Sequence, residues 1–277
     1  MKLLEVILSP KELPALAKRD LRHTTCVVFD VLRATSTFVT ALHHGAKAIV
    51  PVSEIAEAVA RRQKQPEVLL GGERDGVRIR AAQTGGIEFD LGNSPREYTA
   101  EKVRGKTIVS TTTNGTRALR ACAGAQTVLA ASFLNLAATA QTVRRLQPAE
   151  VLLVCAGTRE NSATEDILAA GALGEILMRW GETADGSKGE QNLQRSGPRV
   201  RSPHPKGISE LSDSVKTALD AWRKARSNLF AAVSGAENAQ RLLAIPELRD
   251  DVAFCLQPDV FALTAELARD GAIRISI

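Results

Sequence analysis

Aromatic side chains are scarce here: seven Phe, two Trp and one Tyr make up 4% of 277 residues. Without interleaved aromatics the chain has no stacking platform for single-stranded nucleic acid. Cysteine is scarce too. Cys26, Cys122, Cys155 and Cys255 form no C-x-x-C pair and no metal-ligand spacing, and three of them lie within apolar runs. That argues against a disulfide framework or zinc site and for reduced thiols in a cytoplasmic protein. No apolar run is long enough to span a membrane, and the opening MKLLEVILSPKEL is broken by Glu5 too early for a signal peptide. Neither a P-loop nor a G-x-G-x-x-G fingerprint occurs, so the commonest nucleotide-binding loops are excluded.

A broad charge imbalance is also missing. The net charge is +5, but residues 183–206 hold five Lys/Arg against two Asp/Glu and so supply +3 of it. The pI of about 9.2 therefore carries little weight as a sign of a nucleic-acid partner. The same stretch has three aliphatic residues among Gly, Ser, Pro and charges, and reads as a disordered linker or insertion.

What is present is alternation. Short β-branched runs at 2–8, 24–30, 47–52, 67–71, 106–110, 126–131, 150–155 and near 271–277 read as strands. Helical patterns near 10–18, 36–44, 53–64, 95–103, 116–123, 133–146 and 164–179 separate them, and 208–245 reads as one or two amphipathic helices with Trp222, Leu229, Phe230 and Leu242–Leu243 on apolar faces. The expected fold is a layered α/β/α sandwich around a mixed, largely parallel sheet, one unit over 1–277, with 207–277 completing it. Capping boxes are expected at Ser9/Glu12, Ser94/Glu97 and Ser162/Glu165. At an offset of 79 residues Thr37, Gly45-Ala46 and Ser53 recur as Thr116, Gly124-Ala125 and Ser132. Segments 27–58 and 106–137 could thus be two related, intertwined βαβ halves.

Three loops follow strand ends and open helices, the place where open α/β sheets collect ligands. Thr111-Thr112-Thr113-Asn114-Gly115 offers hydroxyls, amides and a close backbone approach at a helix N-terminus, with Arg117 one turn in, and suits phosphoryl oxygens or serves as a plain cap. Asp30 ends an apolar strand, where a carboxylate needs a cation, either a metal or Arg33. It is not a haloacid-dehalogenase start, because Leu32 stands where a second Asp is required. Cys155 lacks an Arg six positions on and is no cysteine-phosphatase nucleophile; it lines the site or fills the core. Glu165 and Asp166 supply carboxylates in the third loop, either of which could join Asp30 on a hard cation such as Mg²⁺. Asp30, Arg33, Asn114 and Arg117 are the catalytic candidates. Arg74, Asn93 and Ser94, on loops at 71–74 and 91–95, join Thr111, Thr112, Thr113, Gly115 and Cys155 as candidate substrate contacts.

Taken in order, FDVLRATST at 29–37, GGER at 71–74, FDLGNSPREYT at 89–99, IVSTTTNGTRAL at 108–119, CAGT at 155–158 and TEDILAAGAL at 164–173 resemble the 2-phosphosulfolactate phosphatases of coenzyme M biosynthesis. The resemblance covers most of 24–175, with weaker support from LSDSV at 211–215 and DVAFC at 251–255. It implies a Mg²⁺-dependent phosphatase that releases phosphate from (2R)-phospho-3-sulfolactate. The chain departs from the family at the longer segment 75–88, at 183–206, at Asn238-Ala239-Gln240-Arg241 in place of a His-Gly-Arg-like stretch, and at Leu263-Thr264 in place of Val-Pro. Such an enzyme would take a small anionic phosphate ester, and it could form a homo-oligomer. A phosphatase for other phosphorylated hydroxy acids, or a non-catalytic anion-binding protein of the same fold, are the alternatives.

Overall fold

A computed structural model describes residues 1–183, 208 and 210–276. The candidate linker at 183–206 lies outside the described residues except for Thr183. The first half runs β1 (Leu3–Ile7), α1 (Leu13–Leu16), β2 (Thr24–Phe29), α2 (Ala34–His43), β3 (Ala48–Pro51), α3 (Ile55–Lys64), β4 (Leu69–Arg74), β5 (Val77–Arg78), α4 (Ala81–Thr84), α5 (Ala100–Val103), β6 (Thr107–Thr111) and α6 (Gly115–Ala121). Then follow β7 (Thr127–Ala131), α7 (Leu136–Leu146), β8 (Glu150–Cys155) and α8 (Thr164–Thr183). The C-terminal part holds β9 (Glu210–Leu211), α9 (Asp213–Ala225), α10 (Leu229–Ser234), α11 (Glu237–Leu243), α12 (Arg249–Cys255), β10 (Ala265–Leu267) and β11 (Ile273–Ile275).

The strands form one sheet in the order β5-β4-β6-β3-β11-β10-β7-β2-β8-β1-β9. Two parallel blocks, β4-β6-β3 and β7-β2-β8-β1-β9, are joined by the antiparallel hairpin β10–β11. The candidate repeat copies interleave: β2 pairs with β7, and β6 pairs with β3. Both sheet faces are covered, as parallel strands require. Along β2, Val27 and Phe29 enter one apolar cluster with α7, α8 and α9, while Cys26 and Val28 enter the other with α1, α2 and α6. β8 divides its residues the same way, Val151, Leu153 and Cys155 against Leu152 and Val154. The α/β/α layering follows from this alternation.

Several local expectations change. The segment 208–245 forms three helices, because the chain turns at Asn228 and again before Glu237; Phe230 is exposed on α10. The Ser9/Glu12 capping box forms. That of Ser94/Glu97 does not, since the Ser94 hydroxyl donates to Asp251 (2.7 Å) and Glu97 accepts from the Gly92 amide (2.9 Å). In the third loop Glu165 accepts from Asn238.

Candidate active site

Asp30 follows β2 directly and is 7% exposed. Its carboxylate lies between two helix N-termini. The Ala34 amide at the start of α2 donates to Oδ1 (3.1 Å), and the Gly115 amide at the start of α6 also faces it. Five strand steps separate β2 from β6, about 24 Å in a flat sheet, yet the loop after β6 reaches Asp30. A Cβ built on Gly115 would lie 2.8 Å from Asp30 Oδ2 and 2.8 Å from the Ala34 Cβ, so only glycine permits this approach. Two helix dipoles favour the anion. Burial, followed by the charges of Glu73 and Glu165, nevertheless pushes the Asp30 carboxyl up to about 7.

Arg33 is not the cation that balances Asp30. Its guanidinium is 2% exposed and donates to Asp251 Oδ2 (2.7 Å) on α12 and to the Gly76 carbonyl. Ser94 completes this buried network by donating to Asp251 Oδ1. Arg33 still lines the cleft above Asp30. Asn93 lines it as well, with its Oδ1 buried and unpartnered.

The threonine-rich loop binds the protein's own carboxylates. Thr113 donates from both its amide and its hydroxyl to Glu73 Oε1 (3.0 and 2.9 Å), and Glu73 Oε2 takes the Gly76 amide (2.7 Å). Thr112 and Asn114 line the cleft; Asn114 Oδ1 accepts from the Arg159 amide (3.2 Å). Thr111 is directed away, its hydroxyl donating to the Ser53 carbonyl and accepting from Arg74. Arg74 is therefore a brace between β4 and β6 and does not line the cleft. Arg117 turns outward to Glu160 (3.1 Å), both partly exposed. Cys155 sits in the core, its thiol raised well above the usual range by burial and then by Asp166.

In the third loop the two carboxylates part company. Asp166 accepts the Val31 amide at Oδ1 (2.8 Å) and the Gly157 amide at Oδ2 (3.0 Å), so it ties the first loop to the third. Glu165 takes Asn238 Nδ2 at Oε1 (2.9 Å), while its Oε2 is buried with no partner. Burial raises the pKa of both. Asn238 also bonds the Thr158 hydroxyl (2.6 Å) and itself lines the cleft.

The cleft encloses about 530 Å³, part of it open to solvent. Its buried floor holds Asp30 and Glu73, and Arg159 and Arg241 stand on its more exposed side. Among the described residues no three or more His, Cys, Asp or Glu converge as a metal cage. A hard cation needs only one or two protein carboxylates. The unpartnered Oε2 of Glu165, acting on an Asp30 that lacks a cation, fits that demand, and every donor offered is oxygen.

Five contributors lay outside the sequence-based candidates, among them Arg159 of the third loop. Glu73 stands beside Arg74 in GGER, and Asp251, Asn238 and Arg241 come from α11 and α12. Only the resemblance touched these last three, as the segment 251–255 and as the departure at 238–241.

Two kinds of comparison bear on this arrangement. The sequence pattern of the family described as 2-phosphosulpholactate phosphatase matches residues 9–270. A protein of Caldanaerobacter subterraneus subsp. tengcongensis named "Probable 2-phosphosulfolactate phosphatase" is 35% identical over 260 residues, 93% of each chain. Proteins of the same name from Thermotoga petrophila and Symbiobacterium thermophilum are each 44% identical, over 237 residues (86% of each chain) and 240 residues (86% of this chain, 88% of the relative). With its ordered motifs, its layered fold and a pattern match along nearly its whole length, the chain belongs to the 2-phosphosulpholactate phosphatase family.

Proposed function

We propose that this protein hydrolyses (2R)-phospho-3-sulfolactate to 3-sulfolactate and phosphate, with Mg²⁺ as cofactor. The supporting observation is the pair Asp30 and Glu165, two buried carboxylates that form no ion pair among the described residues, one of them with an oxygen lacking any hydrogen bond. Asp30 and Glu165 would hold the ion. Bound there, it would neutralise phosphoryl charge and polarise the phosphoryl oxygens.

The chain's own groups handle the rest of the substrate. Arg33, fixed by Asp251, presents its remaining N–H groups to the cleft and binds an oxyanion. Asn114 uses its oxygen to hold the Arg159 amide, leaving its Nδ2 donors for a phosphoryl oxygen. Asn93 offers an acceptor. Asp166 ties the first loop to the third, and Glu73 ties the threonine loop to the turn after β4.

Phosphate release from phosphosulfolactate, 2-phospholactate and phosphoglycerates, with Mg²⁺ and with a chelator, tests the proposal. Metal-dependent turnover with preference for the sulfonated ester is expected. Equal turnover of all esters would assign a broader phosphatase, and none would assign an anion-binding protein.

A further inference from the structure

We propose that Arg159 and Arg241 form the subsite for the substrate's sulfonate; this rests on the phosphosulfolactate reading above. The cleft is graded in charge. Asp30 and Glu73 are buried at its floor; Asp75, Arg159 and Arg241 are its more exposed charged residues, and the two arginines approach from different elements. Arg159 belongs to the turn closed by paired bonds between Thr158 and Asn161 (2.8 and 2.9 Å). Its φ of 56° is one that few residues other than glycine adopt. Asn114 of the threonine loop pins its amide in that conformation. A strained residue held by a cleft-lining side chain is a mark of functional placement. Arg241 comes from α11, three residues after Asn238.

Both guanidinium groups lean on one carboxylate oxygen, Glu237 Oε1, at 3.7 Å and 3.3 Å. Neither contact is close, and Glu237 is 49% exposed, so water screens the pair; Arg241 also feels the charge of the buried Glu165. An oxyanion entering the cleft can replace Glu237 as the partner of either arginine. Sulfonate suits the place. It stays a monoanion at all working pH values, spreads its charge over three oxygens and matches the planar guanidinium fork. Phosphoryl and carboxylate oxygens are harder and carry more charge per oxygen, which favours the deeper end near Arg33. Of the cations lining the cleft among the described residues, Arg159 and Arg241 then remain for the third anionic group.

The experiment compares kcat/KM for phosphosulfolactate and for 2-phospholactate, which has a hydrogen where the sulfonate stands, in the wild type, Arg159→Gln, Arg241→Gln and Glu237→Gln. It adds the melting temperature of each protein with 3-sulfolactate. Each arginine change is expected to lower the preference for the sulfonated ester by on the order of tenfold or more, through KM. Glu237→Gln, which removes the carboxylate the two arginines share, should keep or raise that preference. Equal loss on both esters, or an unchanged preference, overturns the subsite while leaving the phosphatase reading intact. A wild type inactive on both esters, yet stabilised by 3-sulfolactate in a manner lost in both arginine variants, overturns the activity and upholds the subsite. Inactivity without such stabilisation overturns both.

Discussion

The loop after β2 and the loop after β6 occupy the same place in two strand–loop–helix units, yet their chemistry differs. The first carries opposite charges, Asp30 and Arg33, both buried and each engaged elsewhere than with the other. The second is neutral from Thr111 to Gly115 and donates: Thr113 to Glu73, Gly115 towards Asp30. Neutral dipoles thus hold the carboxylates in place without cancelling their charge. A lysine or arginine there would have stabilised Asp30 more but would have filled the position a ligand needs. On the proposed function, the second loop makes the first loop's uncompensated charge tolerable until metal and substrate arrive.

The strongest way to break the contrast is to remove the carboxylate that anchors the first loop's cation. Asp251→Asn keeps the shape but leaves the buried Arg33 without its charged partner. We expect a loss of roughly 3–5 kcal/mol of stability, read from denaturant unfolding. A change under about 1 kcal/mol would mean that Arg33 finds another partner and that α12 is not what fixes it.

Next in size is Asp30→Asn. Arg33 keeps Asp251, so the fold should survive, while Mg²⁺-dependent turnover falls by on the order of a hundredfold. The pH dependence of the metal-free protein sharpens the test. In the folded state Asp30 titrates near 7, raised from 3.8, so the native chain holds more protons than the unfolded one across that interval. Its contribution to stability is full below 3.8 and lost as pH rises through about 7. Chelator-treated wild type should therefore melt lower at about pH 8 than at about pH 5, and Asp30→Asn should flatten that slope. An unchanged slope would remove Asp30 from the account.

These two residues also show what the sequence could reveal. Asp30 was legible because a carboxylate closing an apolar strand is locally anomalous, and β2 and β8 were legible because strands buried on both faces read as unbroken apolar runs. Asp251 was not, because nothing near it in the chain signals that its partner lies 218 residues away. Glu73 was hidden for the same reason, its donors lying 40 residues on at Thr113. β5, β9 and β10 span two or three residues each, too few for a period to show. The threonine loop was legible, but the carboxylate that Thr113 serves was not: a helix N-terminus looks the same from sequence whether it receives a phosphate or the protein's own carboxylate.

A smaller effect tests the contact between the two loops. Gly115→Ala places a methyl 2.8 Å from Asp30 Oδ2 and from the Ala34 Cβ, so the carboxylate or the loop must give way. We expect about 1–3 kcal/mol of destabilisation from overpacking, and turnover roughly tenfold lower as the carboxylate shifts. If activity stays at the wild-type level while stability falls, the position of Asp30 tolerates more movement than its packing suggests.

The smallest effect is expected at Arg117, and it bears on how far the second loop's chemistry extends into its helix. From sequence, a cation one turn into a helix that follows a hydroxyl-rich loop is a natural phosphate ligand. The helix decides otherwise. Successive residues rotate about 100° around the axis, and α6 directs Gly115 and Thr116 inward and Arg117 outward, to a Glu160 that is itself 59% exposed. An exposed ion pair of this kind contributes about 0–1 kcal/mol and is screened by salt. Arg117→Gln should leave kcat and KM within about twofold of wild type and lower stability by no more than about 1 kcal/mol. The same change at Arg33 removes a buried, network-held guanidinium and should abolish most turnover, so measuring the two side by side is a direct test. If Arg117→Gln lowers kcat/KM as much as Arg33→Gln does, Arg117 must swing from Glu160 into the cleft when substrate binds. The second loop would then supply charge as well as dipoles, and the division of labour between the two loops would fail.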